Sequence, residues 1–318
     1  MSPLPFNRPI ALVGKLTFQE AEALLLWAEQ GEIPLFVDPC SQLRNVKHPL
    51  IFPIKQSLMA ATSCDAVLWF GGRLLSPGAE TLLAEAKSKG DAIPLWRIQS
   101  VDRIEDPSAL ATHRILCPLP QFFKEHASRF HTSIPKPWVY PIQVEWSEAQ
   151  IVQTLSQYLT EEDALFCANS MPIRLWDSLS FQNLNRPIPF LANRGASGID
   201  GNIATATGFS LALKRKTYAL LGDLAMWHDV AALQLLKRSG ADLRLILLNN
   251  SGGGIFKTLA VAQNNPFFER FFYAQHDLNF ADAATWANLS YKTATHQSEF
   301  LNALKSNTSV IECYIPIQ

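Results

Sequence analysis

Two polar motifs follow predicted strands in the C-terminal half of the chain and could hold a metal ion. Gly222-Asp223 ends one apolar run, and Asn249-Asn250 ends the next, ~27 residues further on. Because parallel strands end at the same edge of a sheet, we expect these side chains to face one crevice. A carboxylate and an amide oxygen suit Mg²⁺, which proteins commonly share with a diphosphate. The alternative interpretation is a helix N-cap and a turn.

A glycine run lies directly after the second motif, at Gly252-Gly253-Gly254. Glycine backbone can approach a ligand closely, and a helix that starts after Asp223 would add N–H groups at its first turn. We therefore expect free backbone N–H groups here for phosphate oxygens.

Alternating strand and helix patterns must position these motifs. In the first half, apolar runs predict strands at Ile10–Val13, Leu35–Val37, Ala66–Phe70 and Leu95–Ile98, with helices at Thr17–Glu29 and Ala79–Lys87. In the second half, the predicted strands are Leu165–Cys167, Tyr218–Leu221, Leu243–Leu248 and Val310–Tyr314, and the predicted helices are Met171–Leu179, Ile203–Lys214, Asp229–Arg238 and Glu299–Leu304. Thr17 and Glu20 have the spacing of a capping box. The alternation indicates an α/β protein with doubly wound parallel sheets.

Length and composition divide the chain and limit its partners. A chain of 318 residues favours two domains, and crowded prolines predict a linker over 118–146 between domains at 1–117 and 147–318. With 27 basic and 28 acidic residues, the chain has no net basic field for nucleic acid. No apolar run is long enough to span a membrane, and the five cysteines form no metal motif, so we expect a cytoplasmic protein.

The spacing of Gly222-Asp223 and Asn249-Asn250 resembles the thiamine-diphosphate motif of thiamine-dependent enzymes. Two longer segments, Asn193–Gly201 and Asn249–Phe256, resemble signatures of the 2-succinyl-5-enolpyruvyl-6-hydroxy-3-cyclohexene-1-carboxylate synthase family. The segments 169–174 and 268–272 also fit that family. The resemblance covers 165–318, and over 8–115 it is weaker and mainly topological, to the family's middle domain.

The resemblance implies thiamine diphosphate and Mg²⁺ as cofactors, and a role for each matching residue. Asp223, Asn250 and the carbonyl of Gly252 match the metal ligands, and the cofactor contacts further include Gly222, Leu224 and Ile199. Ile199 matches the apolar wedge that bends the cofactor, and Ile255 and Phe256 match the wall beside its thiazolium ring. Ser170, Arg174 and Arg194 match substrate-binding positions. The family decarboxylates 2-oxoglutarate and adds the product to isochorismate, in menaquinone biosynthesis.

The residue types suit this chemistry, although each has an ordinary structural explanation as well. Arginine pairs carboxylates bidentately, and both substrates are polyanions. Taken alone, however, an Ile-Phe pair is typical of core packing, and Arg174 on a helix is typical of a solvated face. Only their positions inside the matched motifs favour the functional interpretation.

Members of the family carry a further domain that binds the cofactor's pyrimidine and supplies a catalytic glutamate. We find no segment that matches it, so we expect a partner chain or an N-terminal region to provide it, and we expect the chain alone to be inactive and homo-oligomeric. The loop after Phe70 also lacks the family's usual basic residue, which leaves Arg73 as a candidate replacement.

Two other functions remain open: a non-catalytic thiamine-diphosphate-binding module, and another thiamine-dependent decarboxylase or carboligase. Arg174 and Arg194 favour an enzyme over a module, because a module that only binds cofactor needs no substrate arginines. The Ile255-Phe256 pair and Asn193–Gly201 favour the synthase over other lineages.

Overall fold

A computed structural model describes residues 4–60, 62–102, 106, 108–263 and 265–315. The chain divides into two compact units, residues 1–140 with 182–187, and residues 141–181 with 188–318. Each unit contains a six-stranded parallel sheet with helices, as the alternating pattern predicts. No helix in the described ranges combines the length and the hydrophobicity needed to cross a membrane.

The first unit contains strands β1–β6 and helices α1–α4. The strands are Pro9–Val13, Leu35–Val37, Ile51–Pro53, Ala66–Phe70, Leu95–Gln99 and His113–Leu116, and the helices are Phe18–Gly31, Gln56–Ala60, Gly78–Ser88 and Leu119–Glu125. The strand order is β3-β2-β1-β4-β5-β6. Helix α4 lies within the segment 118–146 that was predicted to be a linker.

Apolar side chains cover both faces of this first sheet. Alternate residues of β1 enter different clusters, with Ala11 and Val13 on one side and Ile10 and Leu12 on the other. Burial on both faces explains why these strands are continuous apolar runs in the sequence. The predicted capping box begins α1, because Glu20 N–H donates to the Thr17 hydroxyl and the Glu20 carboxylate accepts from Thr17 N–H.

The second unit contains strands β7–β12 and helices α5–α11. The strands are Ala164–Cys167, Phe190–Leu191, Thr217–Gly222, Leu243–Asn249, Tyr291–Ala294 and Val310–Tyr314, and the helices are Glu148–Tyr158, Met171–Leu179, Asn202–Leu213, Asp223–His228, Ala232–Ser239, Ala281–Trp286 and Gln297–Lys305. The strand order is β11-β12-β10-β9-β7-β8. β8 lies on one side of β7, whereas β9 and then β10 lie on the other side. The connections therefore run in opposite directions from β7, and the topological switch point lies between β7 and β9.

The switch point leaves a crevice outside the carboxyl ends of the strands, where α/β sheets bind ligands. The parallel register pairs Leu248 of β10 with Gly222 of β9, so the residues that follow the two strands lie beside each other. Both strands are buried, which holds these ends in place.

One predicted helix, Asp229–Arg238, was wrong at its start. In the structure this helix, α9, begins at Ala232. Asp229 precedes it and its side chain binds the N-terminus of α7. Its carboxylate accepts hydrogen bonds from the backbone N–H groups of Gly201 at 2.6 Å and Ile203 at 2.8 Å. Because the first N–H groups of a helix lack partners within the helix, this carboxylate stabilises the end of the 193–201 loop.

Candidate functional site

A cavity of about 130 Å³ lies at the carboxyl ends of β7, β9 and β10, and most of the predicted site residues line it. Its lining includes Ser170, Ile199, Gly222, Asp223, Leu224, Asn250, Gly252, Ile255 and Phe256. Two predicted residues, Arg174 and Arg194, are not among the lining residues. The lining also contains residues that sequence reasoning did not select as site residues, among them the polar side chains of Glu148 and Asn169.

Asp223 is a buried side chain of the cavity, with 2% of its surface exposed. Its Oδ2 accepts hydrogen bonds from the backbone N–H groups of Asn250 at 3.2 Å and Gly252 at 3.0 Å, and Oδ1 accepts from Leu224 N–H at 2.7 Å. His276 Nε2 lies 3.3 Å from Oδ2. Burial raises the pKa of the Asp223 carboxyl, while His276 and the three N–H donors act to lower it.

Asn250 presents a bare oxygen beside this carboxylate. Its Nδ2 donates to Glu148 Oε1 at 2.6 Å, and its backbone carbonyl accepts from the Tyr273 hydroxyl at 3.0 Å. In contrast, Asn250 Oδ1 is buried and has no hydrogen-bond partner among the residues that the structure describes. A buried oxygen without a hydrogen-bond partner requires an explanation, and a bound ion is one explanation for such an atom in native proteins.

The donor set fits a hard cation. Asp223 and Asn250 supply a carboxylate and an amide oxygen, and Gly252 could supply a carbonyl oxygen, which accepts from Gly254 N–H at 3.0 Å. Glu148 adds a second carboxyl group; burial raises its pKa, the hydrogen bond from Asn250 lowers it and the charge of Asp223 raises it. Within the described part of the chain, no group of three or more His, Cys, Asp or Glu side chains forms another metal site.

The prediction of free N–H groups at the glycine run was wrong. Gly252 N–H donates to Asp223, Gly253 N–H donates to the carbonyl of Tyr273 at 2.6 Å, and Gly254 N–H donates to the carbonyl of Gly252. Leu224 N–H is likewise occupied by Asp223. These bonds fold the loop onto Asp223, so charge at this end of the cavity is concentrated in carboxylates rather than in backbone donors.

Gly252 itself is required by the geometry of this loop. Its φ is +153°, and a Cβ placed there would lie 2.8 Å from the carbonyl oxygen of Tyr273. A residue with a side chain would therefore displace the loop from Asp223.

The two arginines lie beside the cavity rather than in its wall. Arg174 Nη1 donates to the carbonyl of Ser170 at 2.7 Å, and Arg194 Nη1 donates to Asn169 Oδ1 at 2.7 Å. Burial lowers the pKa of Arg174, and the nearby charge of Arg194 lowers it further. Two mutually repelling guanidinium groups close to a cavity form a site that favours an anion.

Asn169 organises this cationic edge. Its Nδ2 donates to the carbonyls of Asn193 at 2.8 Å and Gly198 at 2.9 Å, which ties the end of β7 to the 193–201 loop. The next residue, Ser170, has a φ of +73°, an uncommon conformation for a residue with a side chain. Such strain is often found where a structure holds functional groups in place.

The remaining wall of the cavity is apolar. Ile199, Ile255 and Phe256 line it together with Leu224 and Leu248. Phe256 is 37% exposed, so it lies at the mouth of the cavity rather than in a packed core. This position departs from the core packing that is typical of such pairs.

His276 and Glu148 could not have been found from local sequence. His276 accepts Leu278 N–H at Nδ1, 3.2 Å away, so its ring proton lies on Nε2, which is 3.3 Å from Asp223 Oδ2 without the geometry of a hydrogen bond. Glu148 is 102 residues from Asn250 along the chain, and no motif joins them. Both residues follow only from the folded structure.

Comparison with known proteins identifies related chains over nearly the whole length. Residues 4–167 match the family described as the middle domain of thiamine pyrophosphate, and residues 176–312 match the C-terminal TPP-binding domain of thiamine pyrophosphate enzymes. The 2-succinyl-5-enolpyruvyl-6-hydroxy-3-cyclohexene-1-carboxylate synthase of Cronobacter sakazakii is 32% identical, over 98% of this chain and 58% of the relative. The synthase of the same name from Yersinia pseudotuberculosis (strain YPIII) is 30% identical, over 98% of this chain and 56% of the relative.

A solved structure shares the fold. The benzoylformate decarboxylase from Polynucleobacter necessarius superposes with a TM-score of 0.75 at 13% identity, covering 99% of this chain and 62% of that one. The chain therefore spans little more than half the length of the curated relatives and under two thirds of this structure.

Proposed function

Because this chain belongs to the thiamine pyrophosphate enzymes, we propose that its cavity binds thiamine diphosphate through Mg²⁺ held by Asp223, Asn250 and the carbonyl of Gly252. The observation that carries this proposal is the buried, partnerless Oδ1 of Asn250 beside the buried carboxylate of Asp223. Since the N–H groups of the glycine run are occupied, the diphosphate depends on the cation for its attachment.

We propose that the reaction is the decarboxylation of 2-oxoglutarate followed by addition to isochorismate, as a transferase of menaquinone biosynthesis. The names of the relatives support this choice, and so does the chemistry of the cationic edge. When bound, thiamine diphosphate supplies the electron sink for the decarboxylation. Arg174 and Arg194 bind and orient substrate carboxylates, and Ser170 contacts substrate between them and the cavity.

The apolar wall would exclude water from the reacting centre. Ile199 would support the cofactor, and Ile255 and Phe256 would cover its thiazolium side. Excluding water strengthens each electrostatic interaction and limits unwanted proton transfer from solvent.

The chain's length relative to its relatives motivates a further part of the proposal. We propose that a pyrimidine-binding domain, from the same polypeptide or from a partner chain, completes a homo-oligomeric, cytoplasmic enzyme. That domain would supply the acid–base group for the cofactor, which is typically worth about 10²–10⁴-fold in rate.

The direct test is a reconstitution assay. The 318-residue chain is supplied with thiamine diphosphate, Mg²⁺, 2-oxoglutarate and isochorismate, with and without a separately expressed pyrimidine domain, and product is measured by mass spectrometry. We expect product only in the complete mixture. Equal rates with and without the added domain would contradict the domain requirement, and no product in either mixture would contradict the assigned reaction.

A further inference from the structure

We propose that Glu148 is a positioning residue that determines which atom of the Asn250 amide faces the cavity. This inference rests on the proposed cation site, and it assigns a role to a side chain outside the ligand set. Glu148 is the first residue of α5, whose N-cap is Ser147, and it lines the cavity. Its Oε1 accepts the Asn250 Nδ2 hydrogen bond at 2.6 Å.

The backbone of Asn250 is already fixed without Glu148. Its N–H donates to Asp223 Oδ2, and its carbonyl accepts from the Tyr273 hydroxyl. The remaining freedom is rotation of the side-chain amide, which exchanges the positions of oxygen and NH₂ at almost no steric cost. The two orientations differ chemically, because only the oxygen can coordinate a hard cation.

The hydrogen bond with Glu148 selects one of these orientations. Glu148 Oε1 lies 2.6 Å from Asn250 Nδ2 and accepts its N–H, which turns Asn250 Oδ1 away. The opposite orientation would place two acceptor oxygens against each other at the same short distance. The observed consequence is that Oδ1 is buried in the cavity wall without a partner in the described residues.

Selection of the orientation differs from a general electrostatic effect. If Glu148 acted only by its negative charge, any variant that removes the charge would weaken cation binding equally. If Glu148 acts through the hydrogen bond, a neutral acceptor of the same shape retains much of the function. The Glu148→Gln amide can accept from the Asn250 NH₂ group or donate to its oxygen, so roughly half of the molecules keep the cation-binding orientation. Glu148→Ala leaves the Asn250 NH₂ group without this acceptor, and both variants lose the same charge.

The experiment titrates Mg²⁺ into the chain with excess thiamine diphosphate and follows binding by calorimetry. Removal of groups that orient metal ligands typically weakens metal affinity about 10–100-fold. We therefore expect Glu148→Ala to raise the half-saturating Mg²⁺ concentration about tenfold or more, and Glu148→Gln to raise it less than about threefold. Glu145→Ala, which removes an exposed carboxylate three positions earlier, is the control and should leave the titration unchanged.

Thermal unfolding without Mg²⁺ and cofactor monitors the fold of each variant. Equal increases of the half-saturating Mg²⁺ concentration in Glu148→Gln and Glu148→Ala would overturn the proposal in favour of a charge effect. An unchanged half-saturating concentration in Glu148→Ala would show that Glu148 has no role in cation binding. If Glu148→Ala does not fold, a shift of Glu148→Gln beyond tenfold would overturn the proposal, and a smaller shift would support it. Binding of thiamine diphosphate to the wild-type chain without Mg²⁺ would instead refute the cation site itself, and this inference with it.

Discussion

Asp223 Oδ2 accepts a hydrogen bond from the backbone N–H of Asn250, 3.2 Å away and 27 residues distant along the chain. The register of β9 and β10 makes this bond possible, since Leu248 lies opposite Gly222. The two proposed metal ligands are therefore joined by a hydrogen bond from the backbone of one to the side chain of the other. A change in the loop after β10 should alter the position of the Asp223 carboxylate.

Gly252→Ala tests this coupling. The added Cβ would lie 2.8 Å from the Tyr273 carbonyl oxygen, and a φ of +153° disfavours any side chain, so the loop must move. We expect the free energy of unfolding to fall by about 1–3 kcal/mol and Mg²⁺-dependent cofactor affinity to fall more than about tenfold. Calorimetry and thermal unfolding measure the two effects.

Gly208→Ala is the matched control for that variant. Gly208 lies within α7, and a Cβ there meets nothing within 4 Å. Alanine should stabilise the helix by up to about 1 kcal/mol without affecting cofactor binding. If Gly252→Ala and Gly208→Ala behave alike, the close packing of the loop on Tyr273 has no functional role.

Arg194 provides a second prediction, on substrate binding. Arg194→Ala should reduce kcat/KM of the reconstituted enzyme roughly ten- to a hundredfold. This corresponds to a loss of about 1.5–3 kcal/mol of transition-state stabilisation, because a charge-assisted hydrogen bond to a carboxylate is lost. Arg194→Lys should recover little of this, since an ammonium group lacks the planar fork. Cofactor affinity should stay nearly constant in both variants.

The control is Arg238→Ala, which removes an exposed arginine of α9. Steady-state kinetics with varied 2-oxoglutarate should show wild-type behaviour for this variant. Full activity of Arg194→Lys would argue against bidentate recognition. If Arg238→Ala lost as much kcat/KM as Arg194→Ala, the effect would come from the net charge of the protein rather than from Arg194 itself.

Tyr218 allows a pH prediction that is independent of the site. Burial raises the pKa of this fully buried tyrosine, and the neighbouring Asp163 and Tyr158 raise it further. The unfolded chain releases this proton near pH 10, whereas the folded chain retains it. Its contribution to stability is therefore complete below about pH 10 and is lost as pH rises toward the folded value, with a slope of about 1.4 kcal/mol per pH unit.

Tyr218→Phe should remove that slope while changing the free energy of unfolding at neutral pH by no more than about 1.5 kcal/mol, because a neutral hydrogen bond contributes only about 0.5–1.5 kcal/mol. Denaturant unfolding between pH 8 and 11 measures both quantities. Parallel stability curves for the variant and the wild type would contradict the prediction.

Local pattern was sufficient for the central elements of the fold. Helix Met171–Leu179 and strand Ala66–Phe70 were predicted with their observed bounds, because buried runs and helical periodicity are properties of adjacent residues. Edge strands were missed: Phe190–Leu191 has only two residues, and Tyr291–Ala294 is largely exposed. Such strands depend on a neighbouring strand rather than on their own composition.

The site divides in the same way. The proximity of Asp223 and Asn250 follows from strand ends, which sequence can locate. The roles of Glu148 and His276 depend on contacts across long stretches of chain, and the occupied N–H groups of Gly252 and Gly253 depend on Asp223 and Tyr273, each more than about 15 residues away. Tertiary hydrogen bonds of this kind have no local sequence signal.

The most direct test of the cation site is calorimetric titration of the chain with thiamine diphosphate. We expect thiamine diphosphate to bind in the presence of Mg²⁺ and not to bind when the metal is removed by chelation. In Asp223→Ala it should not bind with or without Mg²⁺, because the diphosphate would lack its bridging cation. Equal affinity with and without Mg²⁺, or wild-type affinity in Asp223→Ala, would contradict the account.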